Sequence, residues 1–218
     1  MGAGAVAGAG GGRLNRGVGY YLQLPMEALA GLIANINRYV TLPPEAIAGL
    51  EACARVVHVR RRQFISQPGF TATTRNYVNQ GAFRSYFLDQ SGKEHTVQLS
   101  VEDWFISDFY SYITQTPGTL FIEAFEDGQL VQLPHAKIEP LIAQHIELSE
   151  YFRRTTERAF AFSRIRVQAD LSATAEQRYL AFRDRYPEIV NRVPQYAVAS
   201  YLGMTPEFLS KVRGRLAS

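Results

Sequence analysis

Near the C-terminal end of the chain, Thr205, Glu207, Ser210 and Lys211 combine hydroxyl, carboxylate and ammonium groups within seven residues. The steps from Glu207 to Ser210 and Lys211 place these three on one face of a helix. Groups of this kind meet nucleic acid. A glutamate accepts from cytosine N4, a lysine donates to guanine or phosphate, and hydroxyls reach phosphate oxygens. Such a face needs a helix with a buried back, and Leu209, Val212 and Leu216 recur at i, i+3 and i+7 to provide one. Thr205 is suited to cap that helix and Pro206 to occupy its first position, where no amide donor is lost. Upstream, Val198, Ala199 and Leu202 give a short first helix an apolar side, and Gly203 supplies the turn. Gln195 to Ser218 therefore reads as a helix-turn-helix. The same residues also suit an ordinary helical hairpin packed into a larger domain.

Charge bears on both readings, since a basic excess suits a DNA-binding face and equally a solvated helical surface. Residues 1–150 carry 11 Lys/Arg against 14 Asp/Glu, whereas residues 151–218 carry 12 against 6. A basic C-terminal module on a mildly acidic body suits a DNA-binding end joined to a sensing or scaffolding body. A hydrophobic content of 46% with 20% charged residues is that of a folded chain, so extended disorder is not expected. No apolar run approaches the roughly 20 residues needed to span a bilayer, so no membrane partner is expected. Met1 to Gly12 is Gly/Ala-rich without the basic start and leucine-rich centre of a signal peptide, and Val6 breaks the myristoylation pattern. A cytoplasmic location is the expectation, with residues 1–20 a disordered tail.

Other chemistries find little support. Cys53 is the sole cysteine, which excludes an internal disulfide and a cysteine-held iron–sulfur cluster within one chain. His58, His95, His135 and His145 form no His-X-His pair of the kind a metal-dependent jelly-roll enzyme requires. Asp103 and Asp108 flank Trp104 with no basic or nucleophilic partner at useful spacing. No enzymatic activity is expected.

The elements that must position the C-terminal unit follow from periodicity. Met26–Val40 and Glu45–Ala54 read as helices, the second opened by Pro43-Pro44. Arg55–Gln67, Arg75–Gln80, Ala82–Asp89, Glu94–Val101 and Thr119–Glu126 are strand candidates rich in β-branched and aromatic residues. Gln90-Ser91-Gly92-Lys93 makes a tight hairpin between two of them. Many short strands with glycine turns argue for a sandwich or jelly-roll barrel. Lys137–Gln144 is again helical. Leu148, Phe152, Thr155, Ala159 and Phe162 then advance by fours and threes, the spacing of a coiled-coil seam; such a stripe also suits packing on its own domain, but its place between a barrel and a DNA-binding unit favours a dimerisation helix. Ala175–Tyr186 and Pro187–Arg192 supply helical support for the C-terminal unit.

Barrel, long central helix and helix-turn-helix, in that order, resemble the Crp/Fnr family of bacterial transcription regulators. Tyr77-Val78, Gly81, Asp89, Gly92 and Glu94 match the family's strand, glycine turn, strand and Asp/Gly hairpin within its cyclic-nucleotide-binding barrel, and Phe105-Ile106 falls where its phosphate-binding cassette begins. The resemblance covers roughly residues 40–216. It implies an α+β chain: an N-terminal jelly-roll barrel of cyclic-nucleotide-binding type (21–147), a dimerisation helix (148–170), and a helix-turn-helix domain lacking a full wing (171–218). Its expected partners are double-stranded DNA, a second copy of the chain and RNA polymerase.

The departures bear on mechanism. Cyclic-AMP-binding members carry Gly-Glu in the cassette, for the ribose, and ten residues later an Arg for the cyclic phosphate. Here these positions read Ser107-Asp108 and Gly118. A buried phosphate without its guanidinium loses a charge-assisted interaction of about 1.5–3 kcal/mol. Backbone amides near Thr116–Thr119 compensate in part, and Arg84 is another candidate donor, although an Arg on a strand reads as a solvated outer-face residue. The resemblance places the base-contacting positions of the central helix near Ser163 and Arg164. The expected pocket, formed by Ser107, Asp108, Gly118, Thr119, Ser163 and Arg164, is thus a degenerate one for a cyclic nucleotide or another small effector. In the recognition helix, Pro206 replaces the family's guanine-reading Arg, whereas Glu207 and Lys211 retain its Glu and second Arg as charges. The missing wing and Pro206 also leave open an effector-binding or protein-interaction module whose DNA-binding end has decayed.

Overall fold

The computed structural model describes residues 26–217, with side chains described for residues 29–215. The Gly/Ala-rich segment 1–20 and the Leu216 side chain lie outside the described residues. Two helices come first, α1 (Met26–Asn37) and α2 (Pro44–Cys53), the latter with Pro44 at its opening position. Seven strands follow: β1 (Arg55–Val59), β2 (Phe64–Ser66), β3 (Thr74–Gln80), β4 (Phe83–Leu88), β5 (Glu94–Ser100), β6 (Phe121–Ala124) and β7 (Gly128–Pro134). A short helix, α3 (Phe109–Thr114), interrupts them between β5 and β6. The chain finishes with α4 (His135–Gln144), α5 (Ile146–Ser172), α6 (Ala175–Arg185), α7 (Pro187–Arg192), α8 (Gln195–Tyr201) and α9 (Pro206–Ala217).

The strands form two antiparallel sheets, ordered β1-β7-β3 and β2-β6-β4-β5. They face each other as a jelly roll that is not hydrogen-bonded into one closed barrel. Val59, Val78, Phe83, Ile106, Ile122, Ala124 and Leu130 fill the space between them. Gly81 carries the chain from one sheet to the other at φ 109°, where an added Cβ would stand 3.1 Å from the Gly128 backbone. The outer face of the three-stranded sheet is covered by α1, α2, α4 and the start of α5, through Leu32, Ile36, Leu50, Ile138, Leu148 and Tyr151. The outer face of the four-stranded sheet is covered by the C-terminal helices. There Leu99, Val101 and Phe125 share one cluster with Tyr179, Phe182, Ile189, Val198, Leu202 and Leu209. Four layers result: helices, sheet, sheet, helices.

Several expected elements differ in detail. Arg55–Gln67 is two strands in different sheets, because Arg62 takes φ 68° while Arg61 N–H donates to Asp127 and Arg62 N–H to the Ala124 carbonyl. β7 and α3 were not among the expected elements. The FYSYIT of α3 has strand-like composition, yet Asp108 caps it by accepting from Ser111 N–H, and the following Gln115 takes a left-handed conformation. The Gln90–Lys93 turn is present, with Asp89 accepting from the Ser91 and Lys93 amides and Gly92 at φ 81°.

Candidate functional site

α9 is assembled from local chemistry. Thr205 Oγ1 accepts from Phe208 N–H at 3.2 Å, so the cap forms. Gly203 stands at φ 67°, and Met204 N–H closes the end of α8 by donating to Ala199 O at 3.0 Å. Arg178 clasps this corner, donating to Leu202 O at 3.1 Å and to Ala173 O at 2.8 Å. Leu209 and Val212 are buried against α6 and α8. On the other side Thr205, Glu207, Ser210 and Lys211 are all exposed. Hydrogen bonds from the Glu207 backbone N–H and the Thr205 hydroxyl hold the Glu207 carboxyl below its ordinary range, so it is an anion at neutral pH. Phe208, 45% exposed beside Glu207, adds an apolar contact surface that sequence reasoning passed over. The only signal for it was an aromatic residue placed off the Leu209–Val212 stripe. A side chain of this type suits the thymine methyl group.

The cassette is built the opposite way. Asp108 is 2% exposed and its carboxylate is spent internally. One oxygen accepts from Ser111 N–H at 3.2 Å; the other accepts from Thr119 N–H at 3.0 Å and Leu120 N–H at 3.2 Å. A Cβ on Gly118 would stand 2.6 Å from that second oxygen, so the glycine is what admits the carboxylate. Ser107 is buried too: its hydroxyl accepts from Asn76 N–H at 3.0 Å and lies 2.8 Å from the Ile106 carbonyl. Ser107, Asp108, Gly118 and the Thr119 amide are thus brought together, by each other rather than around an empty space. Ser163 and Arg164 are exposed on α5, with the Ser163 hydroxyl turned back onto Phe160 O. Beside Asp108 a cavity of about 540 Å³ opens between β2 and the β2–β3 loop, lined by Phe64, Gln67, Phe70, Thr71, Asn76 and Ile122. Among the described residues no cationic side chain lines it, and Asp108 is its carboxylate. Tyr112 stays out of this space, its hydroxyl donating to Glu139 at 2.5 Å, and Tyr110 faces solvent.

Three charged groups have roles that spacing did not disclose. Arg84, which reads as an outward strand residue, is 3% exposed, with Glu123 and Glu94 each at 2.7 Å. Arg192 makes a two-pronged bond to Glu102 at 2.6 and 2.9 Å and also reaches Glu126. Burial pushes the Glu102 carboxyl up, but the bonds from Arg192 and from Gly81 N–H outweigh it and hold the group at about 2. Asp103 accepts from Arg38 and from the Tyr77 hydroxyl, both at 2.6 Å, which ties α1 to the sheet rather than preparing a reaction. Burial pushes the Cys53 thiol up to about 11, far from a thiolate. Among the described residues, no group of three or more His, Cys, Asp or Glu is placed to hold a metal ion. No described helix is long and apolar enough to cross a membrane.

α5 divides along its length. Leu148 and Phe152, the first two residues of the expected seam, are buried within the chain's own core. The Phe162 ring lies under the guanidinium of Arg185, 4.0 Å away. The exposed apolar stripe lies on another face: Phe160, Val167 and Leu171, the last 84% exposed, with Arg164 between them at steps of four, three and four.

Solved structures share this architecture. FixK2 from Bradyrhizobium japonicum superposes with a TM-score of 0.63 at 19% identity, over 75% of this chain and 84% of its own. CLP, the c-di-GMP responsive global regulator of Xanthomonas campestris, gives 0.60 at 14% identity over 80% and 92%. The catabolite activator protein of Thermus thermophilus gives 0.51 at 17% identity over 81% and 84%. No family model matches the sequence, and no curated protein matches it. At these identities the likeness shows the fold, which is that of the Crp/Fnr regulators.

Proposed function

We propose that this chain is a homodimeric, sequence-specific DNA-binding transcription regulator of the Crp/Fnr type. The observation that carries the reading is the outward ridge of α9, where Thr205, Glu207, Ser210 and Lys211 stand exposed on a helix whose opposite side is buried. In a twofold pair two such ridges would enter successive major grooves about 34–36 Å apart. Pairing would use the Phe160–Val167–Leu171 stripe of α5. An unpaired helix with apolar residues at that spacing leaves its surface in water, and a second copy covers it.

The barrel, in this reading, does not clamp a cyclic phosphate. The Thr119 and Leu120 amides are the donors an anion would use, and Asp108 already holds both. A second anion there would meet a buried carboxylate and no guanidinium. Any effector of the neighbouring cavity would not be an anion, since its lining offers amides, hydroxyls, aromatic rings and the Asp108 carboxylate. The fold's solved neighbours are regulators rather than enzymes, and no reaction is assigned to this chain.

Fluorescence polarisation on duplexes from the protein's own promoter region tests the reading. Site affinity should exceed that for scrambled duplex by at least 100-fold and fall steeply between about 50 and 200 mM salt. Equal affinity for both duplexes, or indifference to salt, would overturn it.

A further inference from the structure

The four-stranded sheet ends in β5, and an edge strand normally presents unpaired backbone groups to solvent. Here α8 lies along that edge. Thr96 N–H donates to Ser200 Oγ at 2.9 Å, and the same hydroxyl donates to Glu94 O at 3.1 Å. One serine of the helix-turn-helix therefore serves two outward backbone groups of the strand. Beneath it, Leu99 and Phe125 of the sheet region share a dry cluster with Val198 and Leu209. At one end of this contact, Arg192 forks onto Glu102, which also accepts from the Gly81 N–H at the turn between the two sheets. The C-terminal helices are thus fastened to the barrel at the Gly81 corner between its two sheets.

We propose that this face of the barrel is a seat for the helix-turn-helix, and that Arg192 is the positioning residue that sets the orientation of α9 relative to its own barrel. The proposal rests on the DNA-reading function above for its consequence, though not for its geometry. Leaving the seat would expose the shared apolar cluster and strip Glu102 and Glu126 of their common cation. The seated arrangement leaves the α9 ridge open to solvent, so seat and DNA contact are compatible.

Backbone hydrogen exchange of the full chain, resolved at Thr96, reads the seat directly. The wild-type Thr96 amide should exchange slowly, although it points outward from an edge strand. Arg192→Ala should speed it roughly tenfold, as expected for loss of a partly exposed charge-assisted pair, and Arg192→Lys should restore part of the protection. Site affinity for DNA should drop roughly tenfold in Arg192→Ala, with binding to scrambled duplex unchanged. Should Arg192→Ala also release the central β6 amides, Ser200→Ala decides instead: it should speed Thr96 while leaving Ile122 slow. A wild-type Thr96 amide exchanging at the unprotected rate would overturn the proposal, as would Ser200→Ala or a folded Arg192→Ala that leaves Thr96 unchanged. A wild-type chain without site preference would sink the regulator reading, while exchange at Thr96 would still decide the seat.

Discussion

The cassette at Asp108 and the ridge on α9 are both built from polar side chains near a helix start, yet they face opposite ways. Asp108 is buried and each of its oxygens is met by backbone amides, with Gly118 cleared to make room. The Thr205 hydroxyl satisfies one amide, while Glu207, Ser210 and Lys211 remain in water. The difference shows how the same groups become either structure or function. A carboxylate that meets three backbone donors inside the protein is part of the fold; one left exposed on a helix with a buried back is available to a partner. By this measure the Asp108 carboxylate is satisfied within the fold and the α9 ridge is open.

The comparison is most severely tested through pairing. Phe160→Glu with Leu171→Glu puts charge on the exposed stripe of α5 and should convert the dimer to monomers in sedimentation velocity. Because two half-sites can then no longer be held together, site affinity should fall by about 10²–10⁴-fold. On the ridge itself, Glu207→Ala should cost about 1–3 kcal/mol of discrimination at one base pair. Lys211→Ala should reduce the salt slope by about 1, as for one lost phosphate contact. Neither should shift the unfolding midpoint by more than about 0.5 kcal/mol equivalent, because both side chains are exposed.

The cassette should behave inversely. Asp108→Ala leaves buried backbone N–H groups without an acceptor and should destabilise the chain by about 2–3 kcal/mol in urea denaturation. Gly118→Ala should cost about 1–3 kcal/mol, since its Cβ has only 2.6 Å to the Asp108 oxygen. Cyclic AMP should leave the wild-type melting temperature unmoved, because a ligand that does not bind the folded state adds no stability. A clear upward shift would show that the cassette is not filled.

The smallest effect is an acid one. The folded Glu102 carboxyl lies at about 2 against an ordinary 4.5. Its stabilisation is therefore complete above about 4.5 and is lost as pH falls towards 2. The group is 39% exposed, and solvent screening reduces its contribution to about 1 kcal/mol. Relative to wild type, Arg192→Ala should flatten that part of the denaturation profile between pH 5 and 2.5.

Features set by neighbours in sequence were legible before any coordinates. Gly203, Thr205 and Pro206 specify a turn, a cap and a helix start within four residues, and the structure has all three. The 90–93 hairpin follows from Asp89 and Gly92 in the same way. Features set by distant partners were not legible. The break at Arg62 has no glycine or proline to announce it and depends on Asp127 and Ala124 across the roll. Arg84 reads as a solvated strand residue until α8 arrives to bury it. The heptad spacing of Leu148 and Phe152 is real, but the core that receives them belongs to the same chain, and only folding reveals which face of α5 is left over. Asp108 could be placed in the cassette by its position, whereas the inward turn of its carboxylate depends on amides eleven and twelve residues further on.

Selection from a random duplex library with the whole 218-residue chain tests the central claim most directly. The account predicts enrichment of inverted repeats whose half-site centres lie about one helical turn apart, roughly 10–10.5 bp, with enrichment abolished by Glu207→Ala together with Lys211→Ala. A library that emerges without a preferred sequence, or a preference that survives loss of both side chains, would contradict it.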